Sequence, residues 1–292
     1  MNPEQVRERE ARWALPAALA AFAAVLLILL QGFVSSVSGS GEADALRSVD
    51  AHTGNVTLTS LMPALAFLLF ILPLVYLFRA ARARSERVQP AVIVLLIAAP
   101  LLVAVGTVLY GQARIEAAEH FVAGESKPTI SAEEVKEKCE GEKPVVECEK
   151  EKREDDAATH AISDASLTPL ATVVSLGGGL LFAISLFYTC LWAMRTGLLS
   201  RFWGSLGMAL GIAILIGFVI FAIIWFAYLG LLFLGLLPGG KPPAWEEGKA
   251  VPWQTPGERA AAELEPAEGV EPIEEDGAPE EGAERRKREQ RE

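Results

Sequence analysis

Side chains able to do chemistry are few in this 292-residue chain, and its three histidines come first. Glu116 stands one turn before His120, and Asp156, His160 and Asp164 recur every four residues, a spacing that shares one helix face. With His52, the three imidazoles could form a metal site. No recognisable ligand motif frames them, and such spacings arise readily by chance in an acid-rich stretch. Solvated histidines are therefore the preferred reading, with no metal, cofactor or catalytic residue expected. Cys139 and Cys148, with eight residues between them, admit three readings: a structural disulfide, two unpaired thiols, or a redox or metal pair. The disulfide is preferred, since both fall in a segment expected outside the membrane. Cys190 reads as a small packing residue.

Other patterns carry less. Gly177-Gly178-Gly179 follows no strand and precedes no Lys-Ser/Thr, so it is not a phosphate loop. Asn55-Val56-Thr57 matches the glycosylation sequon, a three-residue pattern with a high chance rate. Ala171, Ser175, Gly179 and Ala183 repeat every four residues, and Gly207 and Gly211 form a second small-xxx-small pair. Such strips let helices approach closely, either across a dimer or inside one bundle, and the latter is preferred.

The elements that must position these residues follow from segregation of residue types. The chain is 51% hydrophobic with mean hydropathy +0.32, yet 22% charged. Charge-free stretches at 13–41, 53–78, 88–113, 165–194 and 202–240 each reach the roughly 20 residues needed to cross a hydrocarbon core of about 30 Å. The fold class expected is all-α, a polytopic transmembrane helical bundle over 14–237 after a short N-terminus, 1–13. Spans are expected at about 14–37, 58–78, 90–110 and 168–193. The first reads as an uncleaved signal anchor rather than a signal peptide, being longer than a usual apolar leader and lacking a clean Ala-x-Ala site. Pro63, Pro73 and Pro100 lie within spans and predict kinks, whereas Thr168-Pro169 offers a cap followed by a proline at the first helical position.

Phe202 to Leu237 as one helix would be about 54 Å long, so two short spans, 200–217 and 219–237, are expected with a break near Gly217-Phe218. That gives six spans; five, with the tail on the other side, is the alternative. Arg7, Arg9 and Arg12, then Arg79, Arg82, Arg84 and Arg87, then Arg195 and Arg201 flank span ends that all face the cytoplasm in a single topology. The N-terminus is then cytoplasmic in a multi-pass cell-membrane protein.

Outside lies segment 111–167, with eight Lys/Arg and fifteen Asp/Glu. Ser131 to Glu134 is a capping-box pattern opening a short helix through Lys138, and 149–166 reads as a second helix. Apolar residues are too few for an independent core, so the segment is an appendage packed on the bundle or largely disordered. The acidic tail, 238–292, reads as disordered, with Trp245 and Trp253 at headgroup level and a basic cluster, Arg285 to Arg288, near its end.

The stretch from Arg195 through Arg201 and Gly207 to Gly211 resembles the basic-loop-into-glycine-rich-helix element of a family of bacterial six-helix membrane proteins known only as a domain of unknown function. The likeness is specific over about 195–211 and implies the six-span order; it implies no activity, cofactor or functional residue.

Ionisable side chains well inside a span would mark a proton or ion path, and none is found. The function expected is a non-enzymatic integral membrane protein, an interaction bundle with an acidic outer segment. Its partners would be the bilayer and a membrane protein or second copy, not nucleic acid. A transporter with a polar cavity lined by residues such as Ser175 and Thr189 is the alternative, and an outer-surface metal-dependent enzyme the second.

Overall fold

The computed structural model describes residues 3–34, 41–140, 144–216 and 219–253. Expectations for 35–37, for Gly217-Phe218 and for 254–292, the basic cluster included, lie outside the described residues. The elements are α1 (Pro3–Val34), α2 (Glu42–Ala51), α3 (Thr53–Arg84), α4 (Val92–Val122), α5 (Ala132–Lys138), α6 (Val145–Asp164), α7 (Thr168–Arg195), α8 (Arg201–Leu215), α9 (Val219–Leu234) and α10 (Pro243–Glu247). Among the described residues every regular element is a helix.

Four helices, α1, α3, α4 and α7, are long and apolar enough to cross a membrane. Their outward faces carry large apolar side chains: Leu19 and Leu26 on α1, Val94 and Leu101 on α4, and Val173, Leu180, Ile184 and Phe187 on α7 are all exposed. Water would make such a surface costly, and the pattern, large apolar side chains outward and small residues inward, is the one that suits helices long enough to cross a membrane. Ala17, Ala18, Ala21 and Ala24 of α1 are buried, as are Ala80 and Ala81 of α3 and Ala99 and Ala104 of α4. The helices run beyond the expected spans, because nothing in 79–84 or 111–122 breaks a helix once the chain leaves the apolar run.

Helix α1 packs on α3, α3 on α4, α4 on α7 and α7 on α8, while α9 comes back against α1. Missing side chains set the seams. A Cβ on Gly178 would lie 2.8 Å from Val103 N, and one on Gly106 would lie 2.9 Å from Ser175 N, so α4 and α7 meet backbone to backbone. Along α8, Gly204 faces Met194, Gly207 faces Cys190 and Gly211 faces Ala183 of α7. The falling index on α7 makes the pair antiparallel. At 15 residues α8 is about 22 Å long, and α9 at 16 residues about 24 Å. Large rings fill the space between: Phe70 stacks on Phe226 at 3.6 Å and Trp203 on Tyr228 at 3.7 Å.

Two expectations need correction. Thr168 does not cap α7: the helix starts at Thr168 itself, whose hydroxyl donates to Ile162 O at 2.6 Å and ties α7 to the end of α6. And the tail is not disordered from 238. Residues 238–253 are folded against the bundle, because Trp245, Val251 and Trp253 supply the anchoring surface that the surrounding Pro and Gly residues lack.

Candidate functional site

The two ends of the bundle both mix charges, and each is built differently. At the first end, α1 begins, α3 and α7 finish, and the segment after α9 folds across them. Gly235, Gly239 and Gly240 adopt positive φ (73°, 94° and 78°) and turn the chain back after α9. Pro242 and Pro243 then start α10, and Gly248, at φ 66°, ends it. The Trp245 indole donates to Leu198 O at 3.0 Å and the Trp253 indole to Leu199 O at 2.8 Å, both carbonyls in the turn between α7 and α8. Val251 N adds a bond to Thr196 O at 3.1 Å. The start of α8 and the chain beyond α9 therefore share one end.

Within this clasp lies Arg84, whose side chain is fully buried. Its five N–H donors are all used. Two go to Ala244 O, from Nε at 3.0 Å and Nη2 at 2.8 Å; one goes from Nη1 to Ala80 O at 2.9 Å; and the fork grips the Glu10 carboxylate through Nη1 and, at 3.0 Å, Nη2. The guanidinium also lies over the Trp245 ring, 5.4 Å from its centroid. Tyr76 donates to Glu10 O at 3.2 Å and stacks near Trp245, with Phe233 edge-on to Tyr76. One guanidinium thus joins α1, α3 and α10. Sequence reasoning counted Arg84 only as one of a basic group, and Glu10 is one of three acids, with Glu4 and Glu8, among the N-terminal arginines, so nothing local marks the pair.

The opposite end is an acidic cap. Helix α2, which the sequence did not suggest, packs with the extensions of α4 and α6 around a core of Ala43, Leu46, Val49, Ala113, Ala117, Ala118, Ala158 and Ala161. Alanines allow close contact with few large side chains, which is how so polar a segment has a core at all. Gly41 offers no side-chain cap to α2; Asp155 of α6 replaces it, accepting from Ala43 N at 3.1 Å. Ser131 does cap α5, accepting from Glu134 N at 3.2 Å. A disulfide joins Cys139 and Cys148, both buried, and links α5 to α6.

The cap's ion pairs are open to water. Arg47 binds Asp44 at 3.0 Å and Glu154 at 2.5 Å, and Lys138 binds Glu134 at 2.8 Å. Hydrogen bonding to Arg47 holds the Glu154 carboxyl below its usual range. Burial pushes the Asp156 carboxyl up, but the N–H groups of Ile130 and Thr129 outweigh it and hold it below the ordinary value. Glu147 and Glu151, exposed beside Glu154 and Asp155 along a cleft of about 280 Å³, make no ion pair among the described residues.

The histidines are not brought together in a ligand set. His52 Nδ1 lies 3.2 Å from Ser48 O, His120 pairs with Glu125, and His160 meets the Thr129 hydroxyl that Asp156 also receives. Glu116 instead accepts from Ser166 N at 3.0 Å. Among the described residues no group of three or more His, Cys, Asp or Glu is placed to hold a metal ion. Of the small residues singled out, Ala171 and Gly179 are buried, Ser175 meets Gly106 of α4, and Ala183 meets Gly211 of α8. Gly207 meets Cys190 and Trp225. Ser185 and Thr189, though buried, donate to the carbonyls of Phe182 and Ser185 on their own helix.

Among the described residues the molecule is thus all-helical, with four helices long and apolar enough to cross a membrane and two shorter apolar ones. No protein-family model matches the chain, and neither does any curated protein or solved structure.

Proposed function

We propose that this protein is a non-enzymatic integral membrane bundle of six spans that presents an acidic, disulfide-linked cap outside the cell membrane to a basic partner in the envelope. The observation that carries this reading is where polarity sits. The buried hydroxyls of Ser60, Ser185, Thr189 and Thr196 bond carbonyls of their own helices and the buried Arg84–Glu10 pair has its donors filled within the clasp, while the carboxylates of Glu147 and Glu151 face outward beside an acidic cleft. An interior satisfied in this way offers no proton relay or solute path, and a displayed charge field steers and selects a partner of opposite sign. The arginines at the clasped end favour a cytoplasmic location for it, with α8 and α9 as a short hairpin entering and leaving there. The six-helix family likeness over 195–211 agrees with that count.

A photo-crosslinking residue at Glu151 in the full chain tests the reading in cells. A crosslink to an envelope component that is lost in the E147Q background, with Tm unchanged, is the expected result. Solute flux in liposomes that scales with the amount of wild-type protein would overturn it in favour of transport.

A further inference from the structure

A second cavity, of about 260 Å³, opens between α1 and α3 beside the clasp, with Ile97 of α4 at its edge. Val6, Arg9, Glu10, Trp13 and Ala17 face it at the spacing of one α1 stripe. Leu72, Val75, Tyr76, Arg79, Ala80 and Ala83 face it from one stripe of α3. Those α3 residues extend over about 16 Å of helix at 1.5 Å per residue, so the cavity is a trough along the helices.

The trough is apolar along its length and cationic at one end. Leu72 and Ile97 are 39% and 40% exposed in its wall, and Trp13 stands 51% exposed at its side. Because Glu10 binds both Tyr76 and Arg84, α1 is fixed with Arg9 at about the level of Arg79. Neither arginine makes a hydrogen bond or ion pair among the described residues, and both are exposed. The one acid in the lining, Glu10, is already held by Arg84. Two unpaired guanidinium groups at the mouth, an indole beside them and an apolar trough running into the membrane-crossing part of both helices match the parts of an anionic phospholipid in their order along the bilayer normal.

We infer that the α1–α3 trough is a binding site for an anionic phospholipid of the surrounding leaflet, its phosphate held between Arg9 and Arg79 and one acyl chain lying against Leu72, Val75 and Ile97. The inference rests on the membrane placement proposed above but not on the partner of the cap. A soluble phosphate compound would use the arginines and leave the trough empty, whereas a zwitterionic lipid would use the trough and gain little from the arginines.

The test uses the full chain purified in a non-ionic detergent and titrated with phosphatidylglycerol, phosphatidylcholine or glycerol phosphate, with bound lipid counted by native mass spectrometry. Wild type should retain phosphatidylglycerol at least about ten-fold better than phosphatidylcholine, and R9Q/R79Q should erase that preference. R87Q, in the same connector but outside the trough, should keep it. Phosphatidylglycerol with brominated chains should quench wild-type fluorescence more than that of W13F, and A83F, which fills the mouth, should abolish the difference. Equal retention of the two lipids, a preference that survives R9Q/R79Q in protein of unchanged Tm, or glycerol phosphate competing as well as the whole lipid would each overturn the site. Failure of the membrane placement itself would look different: the protein would stay dispersed without detergent and retain neither lipid.

Discussion

At the clasped end a single ion pair is sealed among aromatic rings, while at the capped end many charges stand in water. The contrast teaches that the amount of charge and its structural use are unrelated. Segment 111–167 has a net charge of −7, yet the ion pairs described there, Lys138 with Glu134 and Glu154 with Arg47 of α2, stand in water and add little. What holds the cap together is its alanine core, the borrowed Asp155 cap and the disulfide. Arg84 and Glu10 are one pair, but removing either partner leaves the other buried and uncompensated.

The largest break in this comparison should come from Arg84→Ala. It strands the Glu10 carboxylate and the Ala244 carbonyl together, and a loss of about 3–5 kcal/mol is expected in denaturant unfolding of the micelle-embedded protein. Hydrogen exchange should rise in 243–253 and in the first turns of α1 before it rises in α6. An exchange pattern uniform along the chain would show that the two ends are not separate structural units. Next in size is Cys139→Ser with Cys148→Ser. Opening the link between α5 and α6 should cost about 2–3 kcal/mol locally, read as faster exchange in 132–150, with the Arg84 end unchanged.

The smallest effect is that of acid. Glu154 and Asp156 both have carboxyls held below their ordinary values in the folded cap. The stability they contribute is therefore complete above the unfolded value, about 4, and is lost as pH falls through the lower folded values. Exchange in α6 should begin to rise below about pH 4, and E154Q should remove part of that rise. An α6 indifferent to acid would mean that these hydrogen bonds contribute nothing to the cap.

The two ends were also unequally legible in the sequence. Apolar runs announced α1, α3, α4 and α7, because hydropathy over about 20 residues is a property of the run and not of its neighbours. Ser131 to Lys138 announced α5 through its cap. Helix α2 did not announce itself: its capping group sits on α6, more than a hundred residues away, where no local pattern can show it. Residues 238–253 were misread for the opposite reason. Their Pro and Gly content looks like a linker, but the glycines at 235, 239, 240 and 248 make the turns that bring Trp245 and Trp253 to the carbonyls of 198 and 199. The Arg84–Glu10 pair was invisible because each residue matched its basic or mixed neighbours, and only the antiparallel meeting of α1 and α3 sets them face to face.

Ala244, which accepts two of the Arg84 donors, is translated 160 residues after Arg84 and later than every long apolar helix. The long apolar helices can therefore pack before the guanidinium has its last acceptor and before its lid ring, Trp245, arrives, so a chain truncated just before Ala244 would carry every one of them and remain unlatched.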